Sequence, residues 1–217
     1  MKYPIFASFI VFCLWLMFAI RRRRDKEENE YQAFWDEEAA ANSTRRKPLD
    51  DLEYISIPFD KLPMDICTDD PEISSCHEML RTLDEAPIVN FTGYSNTELK
   101  FKYGAPNLDV LANYDQAYTL LARTLDKWAH LLFEKEYINE AAGILEFAVD
   151  TKTDVSSTYD LLARIYDSTG NREKIKDLIP KAEALNSLMK KSIVKNMSSY
   201  FELPADGQTL AKKQSSQ

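Results

Sequence analysis

The side chains that could do nucleophilic or redox chemistry are few in this sequence. Cys76 and His77 are neighbours and could act as nucleophile and base, but adjacent residues seldom point at one another. Cys67 and Cys76 could form a disulfide or a redox pair, or remain two ordinary reduced thiols, which we prefer. His130 stands near Trp128 in a helical pattern, a setting more typical of a structural histidine.

The remaining reactive residues form no known catalytic or metal-binding motif. The chain has two histidines and three cysteines, with no CxxC pair and no zinc-ligand spacing. Paired carboxylates such as Asp50-Asp51 fit a solvated acidic surface, and there is no nucleophile elbow or phosphate loop. We therefore predict no enzyme activity, no metal and no cofactor. The competing hypothesis is an enzyme whose site lies in residues 50–105.

The composition narrows the class of protein. The chain has 217 residues, with 27 basic against 35 acidic side chains and a formal net charge of -8. Such an acidic chain would be repelled by phosphate backbones, which excludes nucleic acid as the expected partner. Only five glycines are present, which disfavours β-rich folds full of tight turns. The composition therefore favours a mainly α protein.

The N-terminus has the pattern of a membrane anchor. Residues 3–20 carry no charge and would span roughly 27 Å as a helix, close to the ~30 Å of a bilayer core. Arg21–Arg24 follow this run, whereas a cleaved signal peptide would have its basic residues in front. The pattern predicts a transmembrane anchor with its basic flank in residues 1–24. By the positive-inside rule, we expect a single-pass protein of the cell membrane, with a short outer N-terminus and a cytoplasmic C-terminal domain.

Two segments follow the predicted anchor. Residues 25–49 are polar and predict a juxtamembrane helix and linker. In residues 50–106, the alternation of Ile55, Ile57 and Phe59 predicts an edge strand or extended arm, and residues 86–92 a second short strand. Residues 95–104 alternate like a strand, but a capping box of Ser95 and Glu98 favours a short helix. We therefore expect an irregular or mixed α/β segment that packs on the domain after it.

From residue 107 onward, the apolar period is helical. An apolar stripe on one helix face consists of Tyr118, Leu121, Leu125, Trp128 and Leu132. At an offset of about 34 residues the chain repeats an order of large and small side chains. The first block is Trp128, Ala129, Leu132, Ala141, Leu145 and Ala148, and the second is Leu162, Ala163, Tyr166, Ile175, Ile179 and Ala182. Small residues at these positions would let two antiparallel helices approach closely.

The second block resembles the tetratricopeptide repeat. The signature positions of that family are occupied by Tyr159, Leu162, Ala163, Tyr166, Gly170 and Ala182. The resemblance implies a helical repeat domain in residues 107–203, and we expect a disordered tail in residues 204–217. Ser187 replaces the usual repeat-ending proline, so the pattern predicts one long last helix from Asn171 to before Pro204, kinked at Pro180.

The resemblance also implies a function and a surface. Repeats of this family bind extended peptides on the concave face formed by the first helix of each pair. The corresponding residues here are Arg123, Asp126, His130, Phe133, Asp160, Arg164 and Asp167. These side chains could hold a peptide, or could only form surface ion pairs. We expect a membrane-tethered protein-protein interaction module, an adaptor or scaffold whose partner is another protein or peptide. The alternative is a self-associating scaffold, a homo-oligomer.

Overall fold

A computed structural model describes the backbone from Pro4 to Glu202 and the side chains of residues 8–201. The described chain is helical, which confirms the mainly α class. Its α-helices are α1 (Pro4–Asn42), α2 (Pro71–Asp84), α3 (Asn96–Tyr103), α4 (Leu108–Glu134), α5 (Ile138–Asp150), α6 (Ser156–Ser168), α7 (Arg172–Glu183) and α8 (Lys190–Glu202). A 3-10 turn at Ala105–Asn107 precedes α4.

The expected α/β character of residues 50–106 is wrong. The described residues form no strand. The segment before Pro58 and residues 86–92, which were the two predicted strands, are joined by an isolated antiparallel bridge between Tyr54 and Val89. Pro58 has no N–H to donate to a sheet, and its carbonyl accepts turn hydrogen bonds from Lys61 (2.9 Å) and Leu62 (3.2 Å). The chain therefore turns just after Ile57, before a ladder can form.

The structure contradicts the predicted transmembrane anchor. Among the helices formed by the described residues, none has an apolar stretch long enough to cross a bilayer. The predictions of a single-pass protein and of a cell-membrane location with a cytoplasmic domain are therefore wrong. The side chains of residues 1–7 in the predicted anchor lie outside the described residues.

The chain divides into two compact units. The first unit comprises the chain up to Leu49 together with Ser95–Leu108, and it contains α1 and α3. Glu38 on α1 accepts hydrogen bonds from Lys100 and from Thr97 on α3. Ser95 and Glu98 form a full capping box at the start of α3. The prediction of a short helix in this segment is therefore confirmed.

The second unit comprises Asp50–Tyr94 and the chain from Asp109 onward. The apolar stripe predicted for α4 is buried, and Trp128 and Leu132 are fully buried. The small residues Ala129, Ala141 and Ala163 are fully buried too, as expected where helices approach closely. The Ile57 side chain is buried in the same core, which extends from the arm before α2 to α8.

The predicted single C-terminal helix is wrong, because the chain forms α7 and α8 with a break between them. Pro180 lies inside α7. In the break, Ser187 donates to the Asp154 carboxylate at 2.6 Å, and the Asn186 amide donates to the Gly93 carbonyl at 3.2 Å. These bonds hold residues 186 and 187 to other segments instead of to a continuing helix. The predicted tail at residues 204–217 lies outside the described residues.

Candidate peptide-binding surface on α4, α6 and α8

All the contact residues predicted from the sequence lie on two helices of the second unit. The ones on α4 are Arg123, Asp126, His130 and Phe133, and those on α6 are Asp160, Arg164 and Asp167. Each set is spaced by three or four residues, so its members lie along one side of their helix. We call these residues, together with Asn196 and Tyr200 on α8, the α4/α6/α8 face.

The centre of this face is the contact between Phe133 and Arg164. The guanidinium carbon of Arg164 lies 4.7 Å from the centroid of the Phe133 ring, which is cation–π geometry. Phe133 is half-buried against the core, whereas Arg164 is exposed. Arg164 makes no hydrogen bond or ion pair with any residue that the structure describes. Its guanidinium is therefore held in place by the ring while its N–H donors face solvent.

Helix α8 adds two polar side chains to the face. The Asn196 amide donates to the Asp160 carboxylate at 3.3 Å, which joins α8 to α6. Tyr200 is half-buried; burial raises the pKa of its hydroxyl, Asp160 and Asp167 raise it further, and Arg164 opposes them. The hydroxyl is therefore neutral at physiological pH and lies within electrostatic reach of α6. The sequence pattern does not assign these residues to the face, because it predicts one long helix in place of α7 and α8.

Asp126 joins α4 to the first turn of α6. Its carboxylate accepts hydrogen bonds from the hydroxyls of Ser157 and Thr158, both at 2.8 Å. His130 lies near the same carboxylate, with its Nε2 3.9 Å from Oδ1. The Asp126 side chain is only 19% exposed, so its oxygens are used within the fold. We therefore assign Asp126 a structural role.

Of the other predicted residues, one forms an ion pair within the fold and one does not. Asp167 forms an ion pair with Arg172 at the start of α7. Arg123 is exposed and has no hydrogen bond or ion pair among the described residues. Arg164 thus contacts Phe133 on α4, and Arg164 and Asp160 both lie within electrostatic reach of Tyr200 on α8. Aromatic and arginine side chains of this kind often dominate the binding energy of protein interfaces.

The residues considered for nucleophilic or redox chemistry form no catalytic pair and no disulfide in the structure. Cys76 and His77 are both buried on α2. Burial raises the pKa of the Cys76 thiol, so the group is a neutral thiol and a poor nucleophile. Cys67 and Cys76 are free thiols. The described residues contain no group of three or more side chains that could hold a metal ion.

Comparison of the chain with family models, with curated proteins and with solved structures gives no match. The resemblance to the tetratricopeptide repeat therefore stays a prediction. It rests on the residues that carry it and on the helical hairpins in which they lie.

Proposed function

We propose that this protein is a protein-protein interaction module that binds an extended peptide segment across the α4/α6/α8 face. The observation that carries the proposal is the Arg164 guanidinium stacked on Phe133, exposed and without an ion pair among the described residues. A partner can use its N–H donors without first breaking an internal salt bridge.

The surroundings of Arg164 suit a peptide better than a small molecule. Phe133 and Tyr200 offer partly buried aromatic surface, and the half-buried Asp160 carboxylate, which accepts a hydrogen bond from Asn196, lies one helical turn away. Backbone carbonyls or carboxylates of a peptide would accept from Arg164, while apolar side chains would lie on the rings. Stacking restricts the arginine before binding, which lowers the entropy lost when the complex forms.

The resemblance to the tetratricopeptide repeat supports the same surface. In that family the peptide-binding face is formed by the first helix of each pair, and the resemblance assigns α4 and α6 to that position. Helix α8 follows α7 as a further first helix, since Asn196 joins it to α6. Two separate observations thus support peptide binding on these three helices: the residue pattern and the exposed Arg164–Phe133 contact.

Self-association is a second proposal, supported by two adjacent exposed apolar residues. Leu188, in the break between α7 and α8, is 99% exposed, and the neighbouring Met189 is 44% exposed. A second copy of the chain would shield this apolar surface from water. Sedimentation of the full chain over a range of concentrations tests this proposal. A dimer that the Leu188→Glu variant abolishes would support it, and a monomer at every concentration would exclude it.

Peptide binding is tested with a library of random peptides displayed on phage and selected on the full-length protein. Dissociation constants of the selected peptides are then measured by fluorescence anisotropy. Arg164→Glu should weaken binding at least about tenfold, as expected for an interface hot spot. The matched control is Lys181→Glu on α7, which makes the same charge change at a residue paired with Asp150. Failure to select any peptide, or equal losses for both variants, would exclude this face.

A further inference from the structure

A second candidate binding site lies beside α2 in the same unit. An open pocket of about 340 Å³ is lined by Phe59, Met64, Arg81 and Asp84. Phe59 and Met64 are half-buried and pack against the core, so they offer a fixed apolar floor. Arg81 and Asp84 are exposed and lie three residues apart on α2, on one side of the helix.

The two charges at the rim of the pocket have no partners within the described chain. At the start of α2, Asp70 is paired with Lys135 at 2.8 Å and Glu72 with Lys127 at 3.3 Å. Neither Arg81 nor Asp84 forms a hydrogen bond or an ion pair among the residues that the structure describes. The second half of α2 therefore presents a cation and an anion to the same pocket, both unpaired within the described chain.

We propose that this pocket binds a free α-amino acid with an apolar side chain. Such a ligand carries an anion, a cation and an apolar group on one carbon, which matches the three chemical features of the pocket. Its carboxylate would accept two N–H donors from Arg81, the preferred geometry of an arginine–carboxylate pair. Its ammonium group would pair with Asp84, and its side chain would cover Phe59 and Met64.

The size of the pocket agrees with a ligand of this kind. Ligand pockets range over ~300–1,000 Å³, and this one is at the small end of that range. A single amino acid fits such a volume, whereas a drug-sized or nucleotide ligand would leave most of its surface in water. A residue inside a peptide has lost both charges, so it would leave Arg81 and Asp84 unpaired.

The proposal is tested by calorimetric titration of the full-length protein with L-phenylalanine and L-leucine. Both should bind saturably. Three analogues each lack one feature: glycine lacks the side chain, N-acetyl-L-phenylalanine the ammonium group and L-phenylalaninamide the carboxylate. Each should bind at least about tenfold more weakly than L-phenylalanine. No saturable binding of phenylalanine or leucine would overturn the proposal. Equal binding of either capped analogue would overturn it as well.

Variants distinguish the pocket from the rest of the surface. Arg81→Met and Asp84→Asn should each weaken phenylalanine binding about tenfold or more, with thermal unfolding used to confirm that both variants are folded. Glu72→Gln, on the same helix but paired with Lys127, is the matched control and should leave binding unchanged. Unchanged binding in Arg81→Met would overturn the assignment. Arg164→Glu should have no effect here, so this proposal and the peptide-binding proposal can fail separately.

Discussion

The imidazole of His77 lies edge-to-face against the indole of Trp128, with ring centroids 4.8 Å apart and planes at 82°. Both side chains are buried, and His77 Nε2 and Trp128 Nε1 have no hydrogen-bond partner within the described part of the chain. Burial, and secondarily the nearby Arg81, lowers the pKa of His77 below its ordinary value of 6.5. The folded protein therefore holds a neutral imidazole that contacts the core of α4.

This contact predicts a pH dependence of stability. Below pH 6.5 the unfolded chain binds a proton at His77, whereas the folded chain binds it only at a lower pH. The free energy of unfolding should therefore fall as pH decreases from 6.5 towards the folded pKa, by at most ~1.4 kcal/mol per pH unit for this one proton. Urea unfolding at a series of pH values measures the slope. His77→Phe, which keeps the aromatic contact, should reduce it, and an identical slope in this variant would contradict the assignment.

The Gly93 backbone predicts a strong penalty for a side chain. Gly93 has a φ of 85°, and a Cβ there would lie 2.0 Å from the Asn186 carbonyl oxygen. Gly93→Ala should lower the free energy of unfolding by more than about 1 kcal/mol. A Cβ at Gly143, inside α5, would meet no atom within 4 Å, so Gly143→Ala should raise the free energy of unfolding by about 0.5–1 kcal/mol. Denaturant unfolding of both variants checks the opposite signs.

The buried hydroxyl of Tyr159 predicts a measurable hydrogen-bond contribution. It donates to the Thr153 carbonyl at 3.0 Å, and burial raises the pKa of the phenol. Tyr159→Phe leaves that carbonyl without this donor and should cost about 1–3 kcal/mol of unfolding free energy. Tyr114→Phe is the control, since its ring contact with Tyr54 is kept, and it should change stability by less than about 0.5 kcal/mol. Equal effects in thermal or urea unfolding would show that the Tyr159 bond contributes nothing.

Asp126 should contribute mainly to stability, and Arg164 mainly to peptide binding. Asp126→Ala removes an acceptor shared by Ser157 and Thr158, and should lower the unfolding free energy by about 1.5–3 kcal/mol. Arg164→Ala should stay within about 1 kcal/mol, since it loses only an exposed cation–π contact. Arg164→Ala should, in contrast, weaken peptide binding more than Asp126→Ala does. If Asp126→Ala is as stable as the wild type, its role is not structural.

Helical periodicity and capping were sufficient to predict α3 and α4. The apolar stripe of α4 follows from spacings of three and four residues, and α3 follows from the capping box of Ser95 and Glu98. Strand prediction failed for Ile55 and Ile57, because alternation describes a pattern of side chains and not the presence of a partner strand. Only the fold reveals that the chain turns at Pro58.

For the candidate α4/α6/α8 face, the sequence predicted which residues lie on α4 and α6 but not which side chains contact one another. The repeat pattern placed Phe133 and Arg164 on matching helices, and the structure shows that they stack. That Asp126 is used by Ser157 and Thr158 depends on how α4 meets α6, which spacing along one helix does not specify. Tyr200 was missed for a similar reason, because the break at Ser187 depends on a hydrogen bond to the distant Asp154.

The most direct test of the proposed function is to map a display-selected peptide onto the full-length protein by NMR. Backbone amide shifts of the isotope-labelled protein are recorded as the unlabelled peptide is added. We predict that the largest changes cluster on α4, α6 and α8 around Phe133, Arg164 and Tyr200. Changes confined to α5 and α7, or spread evenly over the second unit, would contradict binding on the α4/α6/α8 face.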